Sequence, residues 1–166
     1  MSARVALLMG SKSDLPKLQN TIDILRKLEI PHTVRVMSAH RTPDIVKEFT
    51  ESAVPNGIEV IIAAAGGAAH LAGVVAAHTI IPVIGIPVQG GALNGMDALL
   101  ATVQMPGGIP VATVGVGSGG ATNAALLAAQ ILGIADRDIS ARVAAYREER
   151  RQQVIAADGE VIEETA

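Results

Sequence analysis

Val60-Ile-Ile-Ala-Ala-Ala-Gly66-Gly67-Ala-Ala-His70-Leu-Ala-Gly73-Val-Val-Ala-Ala77 is an eighteen-residue stretch in which His70 is the one polar side chain. By length and hydropathy alone it could be taken for a membrane span. Its punctuation argues otherwise. Gly66-Gly67 and Gly73 interrupt it, His78 follows, and Pro82 comes soon after. A β-branched run that turns into Gly-Gly and then into Ala-rich sequence reads as a strand, a loop and a buried helix.

That strand–loop–helix unit recurs along the chain. Short apolar runs at residues 5–9, 33–37, 59–64, 82–86 and 110–114 each lead into a loop and then a helix-like segment. Leu15, Leu18, Ile22 and Leu25 step by three and four, and the second helix-like segment carries Ile45, Val46, Phe49 and Ala53. Segments 70–78, 96–105 and 121–132 are helix-like but less amphipathic. Strands alternating with helices over short connections imply a parallel sheet covered on both faces by right-handed crossovers. The predicted fold is therefore α/β: a three-layer, doubly wound, flavodoxin-like five-stranded sheet. From Asp136 onward Ile139, Val143 and Tyr146 keep a helical rhythm among many Arg and Glu, which predicts a long C-terminal helix. The acidic stretch 158–166 is expected to fray. A single domain over 1–166 fits the length.

Composition sets further bounds. Apolar residues make up 49% and mean hydropathy is +0.41, yet aromatics are 1%, Phe49 and Tyr146 alone. A small domain hides that much apolar surface only with help, so a homo-oligomer with Ala-rich helices between subunits is expected. A sheet sandwiched on both faces also raises Val and Ile. The formal charge of −3 gives no basic surface for a nucleic-acid partner. With no Cys there is no disulfide framework, thiolate metal site or Cys nucleophile. The N-terminus has no signal-peptide layout and no membrane association is expected, which makes the cytoplasm the default location.

In doubly wound sheets, ligands sit at the carboxyl ends of the strands, and there this chain concentrates its polar and Gly residues. The first loop offers Ser11, Ser13 and Asp14. Hydroxyls and helix N-terminal amides suit a phosphate, and a carboxylate suits ribose hydroxyls, although an ordinary helix cap followed by Pro16 explains the same residues. The second loop, Ser38-Ala39-His40-Arg41-Thr42-Pro43, puts a proton carrier that works near neutral pH beside a fixed planar cation. Thr42 and Pro43 read as N-cap and first helical residue. The third loop repeats a His after Gly66-Gly67. His40 and His70 lack a carboxylate at metal-ligand spacing, so no metal is expected. His32 and His78 read as structural. Gly115-Val-Gly117-Ser-Gly-Gly120 formally matches a dinucleotide fingerprint, but it lies in the last βα unit with no later strand to carry the ribose-binding acid. It reads as a tight turn that lines a pocket. There is no P-loop and no nucleophile elbow.

At these loops the chain resembles the catalytic subunit of the phosphoribosylaminoimidazole carboxylase family of purine biosynthesis. The segments that carry the resemblance are Met9-Gly-Ser-Lys-Ser-Asp14, Ser38-Ala-His-Arg-Thr-Pro43 and Ala64-Ala-Gly-Gly-Ala-Ala-His-Leu-Ala-Gly73. Leu99-Leu-Ala-Thr-Val-Gln-Met-Pro-Gly-Gly108 and Asn123-Ala-Ala-Leu-Leu-Ala-Ala-Gln-Ile-Leu132 add to it. The likeness runs from about residue 4 to 155. For the bacterial, mutase type it implies transfer of a carboxylate from the exocyclic nitrogen to C4 of N5-carboxyaminoimidazole ribonucleotide, without ATP, metal, biotin or other cofactor. It implies His40 as general acid and base. Ser11, Ser13, Ser38 and Arg41 would hold the phosphate, Asp14 the ribose, and Gly66, Gly67, His70 and Leu71 would surround a released CO2. It also implies a homo-octamer with sites between subunits, fed by a separate ATP-dependent synthetase.

The chain departs from that pattern at Gly90-Gly91, where the bacterial type often has Ser-Lys, and at Ala72, where Pro is common. Two other readings stand beside this one. A second type within the family carboxylates aminoimidazole ribonucleotide directly with CO2. A non-catalytic nucleotide- or flavin-binding module on the same kind of sheet would not need His40, and it would use aromatic rings that this chain lacks.

Overall fold

The computed structural model describes residues 2–166. Its elements alternate as expected: β1 (Val5–Met9), a 3-10 helix (Lys12–Leu18) leading into α1 (Gln19–Lys27), β2 (His32–Val36), α2 (Pro43–Glu51) and β3 (Val60–Ala65). Then follow α3 (His70–Ala77), β4 (Val83–Pro87), α4 (Met96–Val103), β5 (Ala112–Thr113), α5 (Gly117–Gly133) and α6 (Arg137–Thr165). The five strands form one all-parallel sheet in the order β2-β1-β3-β4-β5. This is the doubly wound, flavodoxin-like arrangement, with the long C-terminal helix in place. The acidic residues 158–164 lie within α6.

The apolar runs are continuous because the central strands are covered on both sides. In β1, Val5, Leu7 and Met9 enter one core with Leu25 of α1 and Ala125 and Ala128 of α5; Ala6 and Leu8 enter the other with Val46 of α2 and Val75 of α3. In β3, Ile62 and Ile61 divide in the same way. Small residues let the layers close tightly. A Cβ on Gly85 of β4 would come within 2.4 Å of Thr102 Cγ2 on α4.

Three boundaries differ from the sequence reading. Strand β5 has two residues rather than the predicted 110–114. It is an outer strand, and Pro110 has no N–H to give to a ladder. Helix α5 starts at Gly117, not at 121, so the second half of the glycine run is the helix's first turn. A Cβ on Gly120 would lie 1.6 Å from Gly115 O, so only glycine lets the chain fold back this closely. Thr42 does occupy the N-cap position of α2, but its side chain does not cap. Its hydroxyl accepts from Ser38 N–H at 2.9 Å and donates to Ser38 O at 3.2 Å, closing the 38–42 loop on itself.

Among the described residues no helix is long and apolar enough to cross a membrane. Residues 60–77 are β3, a turn and α3.

Candidate active site

The order β2-β1-β3 means that the chain leaves β1 to one side and reaches β3 on the other. Loops at such a switch point diverge and leave a crevice. The loops after β1, β2 and β3 line a cleft of about 210 Å³ there.

The first loop contributes Ser11 and Asp14. Ser11 caps the 3-10 helix: its Oγ accepts from Ser13 N–H at 3.3 Å and shares a hydrogen bond with Ser13 Oγ at 2.8 Å. The second loop contributes Ser38, His40 and Arg41. Ser38 Oγ accepts from the backbone N–H groups of His40 and Arg41, at 3.4 and 3.2 Å, and so fixes the turn that carries both. Arg41 Nη2 donates to Gly10 O at 2.9 Å, tying the second loop to the first and leaving other guanidinium donors free for an anion.

The third loop contributes Gly66, His70 and Leu71. Gly67 turns the chain with φ of +61°, and Ala69 takes a left-handed conformation (φ 49°, ψ 39°) at the N-cap of α3. A non-glycine residue held there stores strain, which is tolerated where the surroundings demand it. The result aims His70, the first residue of α3, at the second loop. His40 Nε2 and His70 Nδ1 are 2.7 Å apart, with ring centroids 4.8 Å apart and planes at 80°. One ring must donate and the other accept, so the contact holds a single N–H proton.

Most of the predicted site residues therefore share one cleft. Ser13 and Gly67 do not line it: Ser13 reaches it through Ser11, and Gly67 shapes the turn behind it. Gly10, Ala39, Ala65, Ala68 and Ala69, small residues within the same three loops, form further wall. The fourth and fifth loops gather elsewhere. Gln89, Gly117 and Ser118 line a separate cavity of about 160 Å³, where Lys17 Nζ donates to Gln89 O at 2.8 Å. His32 Nδ1 lies 2.8 Å from Ile30 O and His78 lies beside Glu51, both outside the His40 cleft.

Comparison with known proteins gives a consistent result. Residues 4–153 match the family model described as AIR carboxylase. A Bacillus subtilis protein named N5-carboxyaminoimidazole ribonucleotide mutase is 51% identical over 162 residues, covering 98% of this chain and all of the relative. A Pseudomonas aeruginosa protein of the same name is 59% identical over 133 residues, or 80% of this chain and 82% of the relative. The crystal structure of Treponema denticola PurE superposes with a TM-score of 0.85 at 30% identity, covering 94% of this chain and 96% of that one.

Proposed function

The chain belongs to the AIR carboxylase family, and from its cleft we propose that it acts as an isomerase of purine biosynthesis. It converts N5-carboxyaminoimidazole ribonucleotide to 4-carboxyaminoimidazole ribonucleotide. The observation that carries the reading is the placement of His40 and His70, ring against ring, in a cleft walled by the three loops that match the family.

In this reading His40 gives its proton to the exocyclic nitrogen as the N–C bond breaks and CO2 leaves. The bond's electron pair stays on nitrogen, which yields aminoimidazole ribonucleotide. C4 attacks the trapped CO2, and His40 takes the C4 proton, which restores the aromatic ring and returns the enzyme to its starting state. One group serves both ends because an imidazole can both give and take a proton. The balance is closed, so neither ATP nor a cofactor enters. His70 holds the His40 ring and supplies or accepts the proton that the pair shares. Gly66, Gly67 and Leu71 keep the CO2 site small and dry. Arg41, Ser38 and Ser11 hold the phosphate, with Ser13 orienting Ser11, and Asp14 takes the ribose hydroxyls.

The protein works as a homo-oligomer, an octamer, in the cytoplasm, and its substrate comes from a separate ATP-dependent synthetase. Apolar side chains left on the surface support assembly: Leu93, Met96, Leu100 and Val103 on and before α4 are each more than half exposed, and Ile80 is fully so.

The test is direct. Purified protein is given N5-carboxyaminoimidazole ribonucleotide without ATP; a parallel sample receives aminoimidazole ribonucleotide with bicarbonate at physiological concentration. Rapid C4 carboxylation in the first sample alone is expected. Efficient turnover in the second would make the protein a direct carboxylase, and silence in both would leave a binding module.

A further inference from the structure

Thr42 stands at the N-cap position of α2, ahead of Pro43, yet its hydroxyl gives the helix no cap. A capping hydroxyl accepts from the N–H of the second or third helical residue, here Asp44 or Ile45. Thr42 Oγ1 turns the other way and engages both backbone groups of Ser38. It accepts from the Ser38 N–H at 2.9 Å and donates to the Ser38 carbonyl at 3.2 Å. The backbone N–H of Thr42 gives that carbonyl a further bond at 3.0 Å. The helix start forgoes a stabilising cap, and the 38–42 loop gains a closed neck. A local rule broken in this way is the mark of a place where geometry counts for more than stability.

The neck supports what lies inside it. On the strand side Met37 is buried and its N–H donates to Met9 O at 2.9 Å, so the sheet fixes that end of the loop. Inside the neck, Ser38 Oγ accepts from the N–H groups of His40 and Arg41. Support therefore passes from Thr42 to Ser38, and from Ser38 to the two residues at the cleft.

His40 depends on this support more than Arg41 does. Arg41 has a second anchor, through Nη2 to Gly10 O. Among the described residues, the hydrogen bonds of His40 are the one from its N–H to Ser38 Oγ, at 3.4 Å, and the ring contact with His70. The first of these is long, and the His40 side chain is exposed, so burial adds little to its placement. The 2.7 Å meeting of the two rings is left to the shape of the 38–42 backbone.

We infer that Thr42 is a positioning residue for the acid–base pair: its hydroxyl, by closing the loop at Ser38, sets the approach of the His40 ring to the His70 ring. Thr42 does not line the cleft, so it acts through Ser38 and His40 and not on the substrate. The catalytic consequence rests on the function proposed above; the placement of the rings does not.

Three substitutions test this. Thr42→Val removes the hydroxyl at nearly constant shape, Thr42→Ala removes it without a branched side chain, and Thr42→Ser keeps it. With N5-carboxyaminoimidazole ribonucleotide, Thr42→Val and Thr42→Ala are expected to lose about tenfold in kcat, inside the ~10²-fold that a misplacement of ~1 Å can cost, with a smaller rise in KM. Thr42→Ser is expected to stay near wild type.

Ring placement is read without turnover by diethyl pyrocarbonate, which acylates the unprotonated nitrogen of an imidazole. In the pair, the accepting ring has that nitrogen covered by the other ring's N–H. Peptide mass spectrometry follows all four histidines of the chain, with His32 and His78, outside the cleft, as internal standards. The accepting ring, His40 or His70, is expected to react severalfold faster in Thr42→Val and Thr42→Ala than in wild type or Thr42→Ser, with His32 and His78 unchanged. Wild-type acylation of both His40 and His70 in Thr42→Val and Thr42→Ala would overturn the inference, whatever the kcat. So would equal acceleration at all four histidines, which would mean a general loosening, or a loss in Thr42→Ser equal to that in Thr42→Val, which would place the effect in the methyl group. Wild-type protein inactive on this substrate would sink the assigned reaction instead, and the acylation pattern would still decide the role of Thr42.

Discussion

His40 Nε2 meets His70 Nδ1 at 2.7 Å across two loops that follow different strands. The contact leaves His40 Nδ1 outside the pair and gives the Nε2 edge a partner that can donate or accept. His70 can therefore follow the protonation state of His40 by switching tautomer.

This pairing separates two roles by substitution. His40→Asn, with folding checked by circular dichroism, should cost on the order of 10²–10⁴ in kcat, the range for a lost general acid–base group. His70→Ala should lower kcat about tenfold or more with a smaller effect on KM, and His70→Asn, which can still hydrogen-bond, should recover part of the loss. An unchanged kcat in His70→Ala would leave the pair without a catalytic part.

Arg41 is placed to hold an anion while anchored to Gly10 O. Arg41→Ala should raise KM by roughly tenfold to a hundredfold, the equivalent of about 1.5–3 kcal/mol for a charge-assisted hydrogen bond. Arg41→Lys should recover only part of this, because an ammonium cannot span Gly10 O and a phosphate with one planar fork. Steady-state titration of substrate reads both, and a wild-type KM in Arg41→Ala would remove it from the phosphate site.

Ala69 is left-handed immediately before His70. Ala69→Gly should raise the free energy of unfolding slightly, by up to about 1 kcal/mol, since glycine carries no Cβ penalty there. Ala69→Val should lower stability by more than about 1 kcal/mol and also reduce kcat through a displaced His70. Equal stability for all three residues in urea titrations would show that the turn is unstrained.

At the opposite end of the sheet, Arg4 joins β1, β3 and α6: Nε donates to Glu59 at 2.5 Å and Nη1 to Asp136 at 2.6 Å. The hydrogen bond from Arg4, helped by the N–H groups of Ile139 and Asp138, holds the Asp136 carboxyl below its usual range. A carboxyl lowered by folding stabilises fully above its unfolded value of about 3.9 and loses that contribution as pH falls through its folded value. Asp136→Asn keeps an N-capping side chain but removes the charge. The variant should be less stable than wild type at neutral pH, and the gap should close on acidification below about pH 4. A gap that stays constant with pH would mean the ion pair contributes nothing.

Much of the site was legible because its signals are local. The motifs around Ser11, Ser38 and His70 each follow an apolar run short enough to be a strand, and parallel topology sends every such loop to the same sheet edge. The limits of that reading are equally physical. It grouped five loops on that edge, whereas the crevice follows strand order: β1, β2 and β3 adjoin and share His40's cleft, while the loops after β4 and β5 line another cavity. Thr42 was legible as an N-cap from its place before Pro43, but not its hydroxyl's turn back to Ser38, which depends on the loop's dihedral angles.

By itself, then, the sequence determined the βα rhythm, the parallel sheet, the long last helix and the residue types at the cleft, since each depends on periodicity or on chemistry within a few positions. Tertiary structure alone decided that His40 and His70, thirty residues apart, share one proton, that Gly120 must pass against Gly115, and that the exposed side chains of the outer half of α6 hydrogen-bond, among the described residues, within the helix itself. Those depend on distances between elements, which no local pattern encodes.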